Sequence, residues 1–579
     1  MSLQFITGNS GNGKTKYLFN RIVKEAKANP RDNYLVIVPE QFTMQTQRQL
    51  VDLSENKAIM NIDVLSFKRL AYRVFDELGI TNLTVLEETG KNLVLRKLAA
   101  QEADKLGVIG RNLNRIGYIS EVKSLLSELV QYNISPEELG RYIASGRLSD
   151  TLSDKLKDVL VLYEAFEKFM QDKYITAEEI LNVLSNVAEE SAILRNSVIA
   201  FDEFTGFTPI QNQLIKKLFV ISKKIYVTLT IDCREDIFKS RGMQELFDMP
   251  KRTVKSLTEM AAFYGIEVEE PIILDKNYRL AENEELSFME QQLFRKRRCS
   301  FKKAPKHIHI DCLRDPKQEL TKIARRINEL VRNENLRYRD IAIVTGDVNI
   351  YAGYVREIFD KYNIPYFIDA TQEILFHPFI EFIRSIPDIA AQNFSADAVF
   401  RFLRCGFTEL SASEIDVLEN YVLACGVRGK SAWDKKWVRL PKHKAGYDLE
   451  LLNQSREYIM ELLKPVYQVF SDKKSTVKDY VLAIYKLIVL LDIPDKLAKK
   501  EQALLDAGDQ TASKEYGQIY KIVMQLFEKY VAVLGDEYMD AEEFTQILDA
   551  GLDAADVAVI PPGYDTVTIG DIERTRLTN

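Results

Sequence analysis

What the 579 residues lack narrows the field first. Cysteine is scarce. There are five, Cys233, Cys299, Cys312, Cys405 and Cys425, scattered and without a C-x-x-C pair. That argues against a disulfide frame and a closed zinc site, and for a reducing, cytoplasmic setting. The four histidines have no metal-ligand spacing. No apolar run reaches the roughly 20 residues that a membrane span needs, so no membrane partner is expected. A signal-peptide pattern is absent from the first residues. Positive charge is not in excess, since the formal net charge is −7. Contact with nucleic acid therefore needs a local groove rather than a generally basic surface. What remains is ordinary for a soluble globular protein, 46% hydrophobic and 28% charged. The length is too great for one core and points to about three or four domains.

A glycine loop opens the chain. Gly8-Asn9-Ser10-Gly11-Asn12-Gly13-Lys14-Thr15 fits G-x-x-x-x-G-K-[ST] at every fixed position. The apolar run Leu3 to Thr7 reads as a buried strand before it, and Lys14 to Ala28 as a helix after it. Strand, loop and helix in that order make an anion cradle of backbone N–H groups at a helix N-terminus. Lys14 would reach the β and γ phosphates of ATP, and Thr15 would hold Mg²⁺. A tight turn without a ligand would explain the glycines and leave Lys14 and Thr15 without a role.

Further along, Tyr34 to Val38 and Ile62 to Ser66 read as strands, and Phe67 to Leu78 as a helix. From Thr84 to about Asn196 the apolar spacing of three and four reads as almost wholly helical. Strands return at Ser197 to Phe201 and Lys224 to Thr230. A parallel sheet interrupted by a helical block is the simplest reading. A basic stretch follows, with Arg295, Arg297, Arg298, Lys302, Lys303 and Lys306. It reads as a solvated linker or, more sharply, as a phosphate-contacting strip. Then come a strand at His307 to Cys312, a helix at Gln318 to Val331, a strand at Ile341 to Thr345, a helix at Tyr351 to Tyr362 and a strand at Tyr366 to Ile368. That is a second α/β unit. Helical patterns fill Phe379 to about Asp556, with Trp433 and Trp437 in a basic, loop-like segment. Thr566 to Ile569 reads as one more strand of the second unit.

Other motifs carry chemistry. Val198 to Phe201 is an apolar strand ending in Asp202-Glu203. Asp202 at its tip would bind Mg²⁺, and Glu203 could orient the attacking water. Val38-Pro39-Glu40-Gln41-Phe42-Thr43 and Ser66-Phe67-Lys68-Arg69-Leu70-Ala71-Tyr72 follow the second and third strands. Phe67 and Tyr72 offer stacking faces, or else fill a core beside the sheet. Lys68 and Arg69 offer phosphate contacts, and Gln41 and Thr43 offer hydrogen bonds.

Two α/β units, each carrying a large helical insertion, resemble the RecA-like lobes of superfamily 1 helicases. Leu274-Asp275-Lys276-Asn277-Tyr278-Arg279 is similar to the L-x-x-N-Y-R segment of such motors, which makes Arg279 the expected γ-phosphate contact. Beyond this, Val38 to Thr43, Ser66 to Val74, Asp202 to Pro209, Tyr338 to Ile343, Ile364 to Asp369, His377-Pro378 and Gly570 to Arg576 resemble the AddB family, the B subunits of AddAB-type ATP-dependent helicase–nucleases. The resemblance covers essentially the whole chain. It implies an α/β protein with a first lobe at 1–83 and 196–294, split by an insertion at 84–195. A second lobe at 295–378 and 557–579 would be split by 379–556 and left incomplete. It also implies a subunit about twice this length, whose remaining half carries a 5'→3' exonuclease domain with a cysteine-held iron–sulfur cluster. Implied partners are an AddA-type helicase–nuclease chain and single-stranded or broken-end DNA. The implied role is processing of double-strand breaks for recombinational repair, with scanning for Chi. By position, Gln41, Thr43, Phe67, Arg69, Tyr72 and Phe207 become the expected strand contacts.

The chain departs from working motors of that type. They place an adenine-contacting glutamine before the glycine loop, where only seven residues precede Gly8 here. Their G-D-x-x-Q segment reads Thr230-Ile231-Asp232-Cys233-Arg234, without the coupling glutamine. Their last arginine motif is missing. A weak or inactive ATPase is therefore expected. A self-sufficient superfamily 1 helicase and a P-loop interaction protein without DNA activity remain the competing readings.

Overall fold

The computed structural model describes every residue except 81–84, 87, 109, 111–117, 146–147, 172–173, 296–298, 370–371, 374–375, 442–446, 473, 554–555, 558–564, 573–574 and 576–579. Arg297 and Arg298 of the basic stretch, Glu573, Arg574 and Arg576 of the last motif, and Thr84 at the expected start of the helical block lie outside the described residues.

Short apolar runs make the first sheet. Strands β1 (Ser2–Gly8), β2 (Tyr34–Ile37) and β3 (Ile62–Leu65) alternate with helices α1 (Lys14–Ala28), α2 (Thr43–Leu53) and α3 (Phe67–Leu78). After a pair of short strands, β4 (Val85–Leu86) and β5 (Ile175–Thr176), the sheet resumes with β6 (Val198–Phe201) and β7 (Lys224–Thr230). Strands β8 (Glu267–Val268) and β9 (Ile272–Leu274) finish it. The order is β3-β2-β6-β7-β1, with β8 and β9 both on the far side of β1, and every pairing is parallel. Alternate residues serve opposite faces, as the twofold repeat of a strand requires. Phe5, Leu35, Ile37, Ile199, Phe201 and Val227 enter one apolar cluster. Ile6, Tyr34, Val36, Ala200 and Tyr226 enter the other. Both faces are thus covered, which is why these strands read as continuous apolar runs.

Helix ends follow local chemistry. Ser66 caps α3 by accepting from the Arg69 amide, and Gly79, at φ 69°, ends the helix. The helix Pro209–Ile221 starts at a Thr208/Gln211 capping box, with proline in its first turn. The expected helical stretch after residue 84 does contain helices, but also the parallel pair β4–β5. Its first helix, α4 (Glu88–Gln101), contributes Leu93 to the apolar cluster of the later helices. Arg96 donates to Gln546 at 2.7 Å and Lys97 pairs with Glu537 at 2.7 Å. The two helical stretches therefore pack on each other, which no local pattern announces.

Three strands, β10 (Ala342–Thr345), β11 (Tyr366–Ile368) and, much later, Val567–Asp571, form a second parallel sheet with the last of them central. Two expectations fail here. His307 to Cys312 is not a strand: it pairs with no described strand. The amides of Lys306 and His307 donate instead to the Glu285 carboxylate, at 2.7 and 2.8 Å. The loop-like reading of Trp433 and Trp437 holds for Trp437 and fails for Trp433. Both are buried, and Trp433 lies in the short helix Lys430–Asp434.

Candidate nucleotide site

The loop between β1 and α1 is shaped by two left-handed glycines, Gly11 at φ 85° and Gly13 at φ 78°. Residues with side chains rarely adopt that conformation. Lys14 lies on the first turn of α1, and its Nζ donates back to the carbonyls of Gly8 and Asn9 at 3.1 and 2.9 Å. Burial pulls the Lys14 ammonium down to about 8, with Glu203 and Asp202 opposing the shift and Arg279 adding to it. A cation in a poorly solvated site, held only by backbone carbonyls, is suited to an anion that brings its own charge.

The register β2–β6–β7 brings Asp202 to the loop. The Thr15 hydroxyl lies 3.3 Å from Asp202 Oδ1 and 3.2 Å from Glu203 Oε1. Thr228, on the neighbouring β7, donates to Asp202 Oδ1. A hydroxyl and two carboxylates make the oxygen donor set that a hard divalent cation takes. Glu203 sits at φ 71°, a strained backbone for a residue with a side chain, and that turn points its carboxylate to Thr15. These residues fit a triphosphate with Mg²⁺.

The segment after β9 closes over the loop. Asn12 Nδ2 donates to the Leu274 carbonyl at 2.6 Å, and Asn277 Nδ2 to the Ser10 carbonyl at 2.9 Å. The amides of Tyr278 and Arg279 both donate to the Gly11 carbonyl, at 2.9 and 3.3 Å. A Cβ added at Gly8 would stand 2.6 Å from the Leu274 oxygen. Arg279 is exposed on this segment, within electrostatic reach of Lys14.

Sequence reasoning did not foresee the contacts that hold this loop in place. Asn9 accepts from the Cys233 amide and donates to Glu290, both at 2.9 Å. Asp232 is buried and receives Arg234 and Arg295. Burial opposes its ionisation, but the hydrogen bonds from the two guanidinium groups outweigh burial and hold it well below the usual carboxylate range. Arg295 therefore belongs to the fold and not to a solvated linker. Lys303 pairs with Glu284 in solvent, as the linker reading expects.

The expected strand contacts divide. Gln41, Lys68, Arg69 and Tyr72 are exposed, with Tyr72 at 40%. Arg69 pairs loosely with Glu40 at 3.3 Å. Glu40, unread in the sequence, also accepts from Ser66 at 2.7 Å. Thr43 is buried, and its hydroxyl donates to the Glu40 carbonyl. Phe67 is a correction. Only 7% exposed, its ring packs against Phe201, Phe204 and Phe207. Phe207 is half-buried in the same aromatic group. The helical period was the available signal. Phe67, Leu70, Ala71, Val74 and Phe75 share one buried face of α3, while Lys68, Arg69 and Tyr72 fall off it.

A strand, a glycine loop and a helix beside an acidic strand tip, in a parallel sheet covered on both faces, place the chain in the class of P-loop α/β proteins. Residues 5–290 match the family model described as ADDB, N-terminal. Over its whole length the chain is 39% identical to the B subunit of the ATP-dependent helicase/deoxyribonuclease of Lachnoclostridium phytofermentans, covering 51% of that protein. It is 31% and 32% identical, again over its whole length, to the proteins of the same name from Clostridium novyi and Clostridium acetobutylicum, covering 50% of each. The chain is homologous to the B subunits of the ADDB family and spans about half the length of the curated relatives it matches. No helix among the described residues is long and apolar enough to cross a membrane.

Proposed function

We propose that this chain is the ATP-binding and single-strand-binding part of a two-subunit helicase–nuclease that processes DNA double-strand breaks for recombinational repair and scans for Chi. In this reading the first sheet and the later three-stranded sheet are two RecA-like lobes of superfamily 1 type, each interrupted by helices. The nuclease domain and an iron–sulfur cluster belong to the rest of the subunit, an AddA-type chain is the partner, and the complex works in the cytoplasm.

One observation carries the nucleotide part: the Thr15 hydroxyl lies within 3.3 Å of both Asp202 and Glu203, beside the half-buried Lys14. In the loaded site, backbone amides of the glycine loop and the Lys14 ammonium hold the phosphates. Thr15 and Asp202 hold Mg²⁺, which would screen the phosphate charge. Thr228 fixes the Asp202 carboxylate, Glu203 stands where it can take a proton from water, and Arg279 reaches the outer phosphate. Single-stranded DNA runs over Gln41, Lys68, Arg69 and Tyr72, at the C-terminal ends of β2 and β3.

Lys14→Ala tests the reading. The substitution removes a charge-assisted hydrogen bond of about 2 kcal/mol, which is roughly 30-fold in affinity. Equilibrium binding of ATP should weaken by that factor while the circular dichroism melt stays unchanged. Equal ATP affinity in the variant removes the nucleotide assignment.

A further inference from the structure

The segment 428–441 is strongly basic. It carries Arg428, Lys430, Lys435, Lys436 and Arg439 against a single carboxylate, Asp434, in a chain of formal net charge −7. Asp434 is already taken by Lys430 at 2.7 Å. Arg428, Lys435, Lys436 and Arg439 are exposed, and none of the four is ion-paired among the described residues. Cations on neighbouring elements do find acids: Arg404 meets both Asp416 and Glu419, and Lys496 meets Glu409.

This segment is also held rigidly. Trp433 and Trp437 pack edge to face at 5.2 Å beneath it. Asn453 clamps the backbone of Trp437 from both sides, accepting from its amide at 2.8 Å and donating to its carbonyl at 2.9 Å. The Tyr421 hydroxyl donates to the Arg439 carbonyl at 2.7 Å, and Arg456 donates to the Trp433 carbonyl at 2.9 Å. Two buried indoles and a buried clamp thus fix the backbone that carries these like charges. Their mutual repulsion gives the fold nothing and favours a bound anion.

We propose that residues 428–440 form a track for the phosphodiester backbone of a nucleic acid, separate from the strand path on the first sheet. The inference rests on the DNA reading above. A protein partner carries charges of both signs, whereas this strap offers cations with its one carboxylate already occupied. Such a surface answers a uniform polyanion. A pinned backbone loses little freedom on binding, and Val438 and Leu440, both exposed, give apolar contact between the phosphate sites.

The test is the triple variant Lys435→Gln, Lys436→Gln, Arg439→Gln in the full chain, with labelled single-stranded and duplex oligonucleotides titrated by fluorescence anisotropy over a range of salt. The Arg439 bond to Tyr421 uses its backbone carbonyl, so the fold survives, and unchanged tryptophan emission checks this. Every phosphate that the variant no longer neutralises flattens the slope of log K against log salt by about 0.7 for a single strand and about 0.9 for a duplex. Flattening by roughly two to three is expected, and Lys435→Arg with Lys436→Arg should retain the parental slope. An unchanged slope in the triple variant, with binding abolished in Arg69→Gln/Tyr72→Ala, overturns the strap and leaves the first-sheet path standing. Displacement by polyglutamate as effective as by unlabelled oligonucleotide at equal charge overturns the choice of nucleic acid. No binding of either oligonucleotide by the parent chain overturns both readings.

Discussion

Truncating Phe67 to alanine separates a core role from a DNA role. The ring lies 5.8 Å from Phe201, 5.5 Å from Phe204 and 6.4 Å from Phe207, between α3 and the tip of β6. At 7% exposure almost all its surface is out of water. Phenylalanine to alanine in such a site costs about 3–5 kcal/mol, the sum of lost transfer energy and the cavity left behind. Phe67→Leu keeps most of the volume and should cost less than about 1.5 kcal/mol. Trp433 and Trp437 sit in a different apolar cluster, so their fluorescence is an internal control rather than the readout. Hydrogen exchange read by mass spectrometry over β2, β6 and α3 reports the affected region directly. Its protection should fall by the equivalent of about 3–5 kcal/mol. Tyr72→Ala, one turn along and outward-facing, should leave protection within about 1 kcal/mol and weaken single-strand binding instead. Unchanged protection in Phe67→Ala, together with loss of strand binding, would refute the core assignment and restore the ring to the DNA path.

Two other outcomes follow from the loop. The Lys14 ammonium of the free protein titrates near 8, below its ordinary value, and phosphates brought beside it would raise that value. ATP binding should therefore take up a proton between about pH 8 and 9, and affinity should decline as pH rises through that window. Calorimetry in two buffers of different ionisation enthalpy measures this, and zero proton uptake there counts against Lys14 as the phosphate ligand. Gly11→Ala forces a side chain into φ 85°, with its Cβ 2.8 Å from the Arg279 Cβ and 2.9 Å from Asn277 Oδ1. The conformation alone costs about 1–2 kcal/mol. The thermal midpoint should fall and its rise with added ATP should vanish, whereas a parental response to ATP would show that the loop tolerates the side chain.

Where the chemistry is local, the sequence was enough. The loop Gly8–Thr15, helix α1 from Lys14 to Ala28 and the buried runs of β1, β2, β6 and β7 are set by neighbours a few residues apart, and the structure has them where the pattern puts them. Glycine spacing and apolar continuity are physical requirements of that turn and that sheet. His307 to Cys312 misled because its apolar residues resemble a strand, while pairing depends on a distant edge, and Glu285 takes the amides of Lys306 and His307 where the segment begins. The segment of Trp433 and Trp437 read as basic and loop-like, and what that pattern did not give is that the indoles lie inward and the charges outward.

The sequence alone thus determined the phosphate-loop geometry, the parallel α/β class and the family resemblance. Tertiary structure alone decided which side chains meet. Asp202 reaches Thr15 across 187 positions, Asn9 reaches Glu290 across 281, and α4 joins helices more than 400 residues away. Such pairings are fixed by strand order and packing, which no short window of residues encodes.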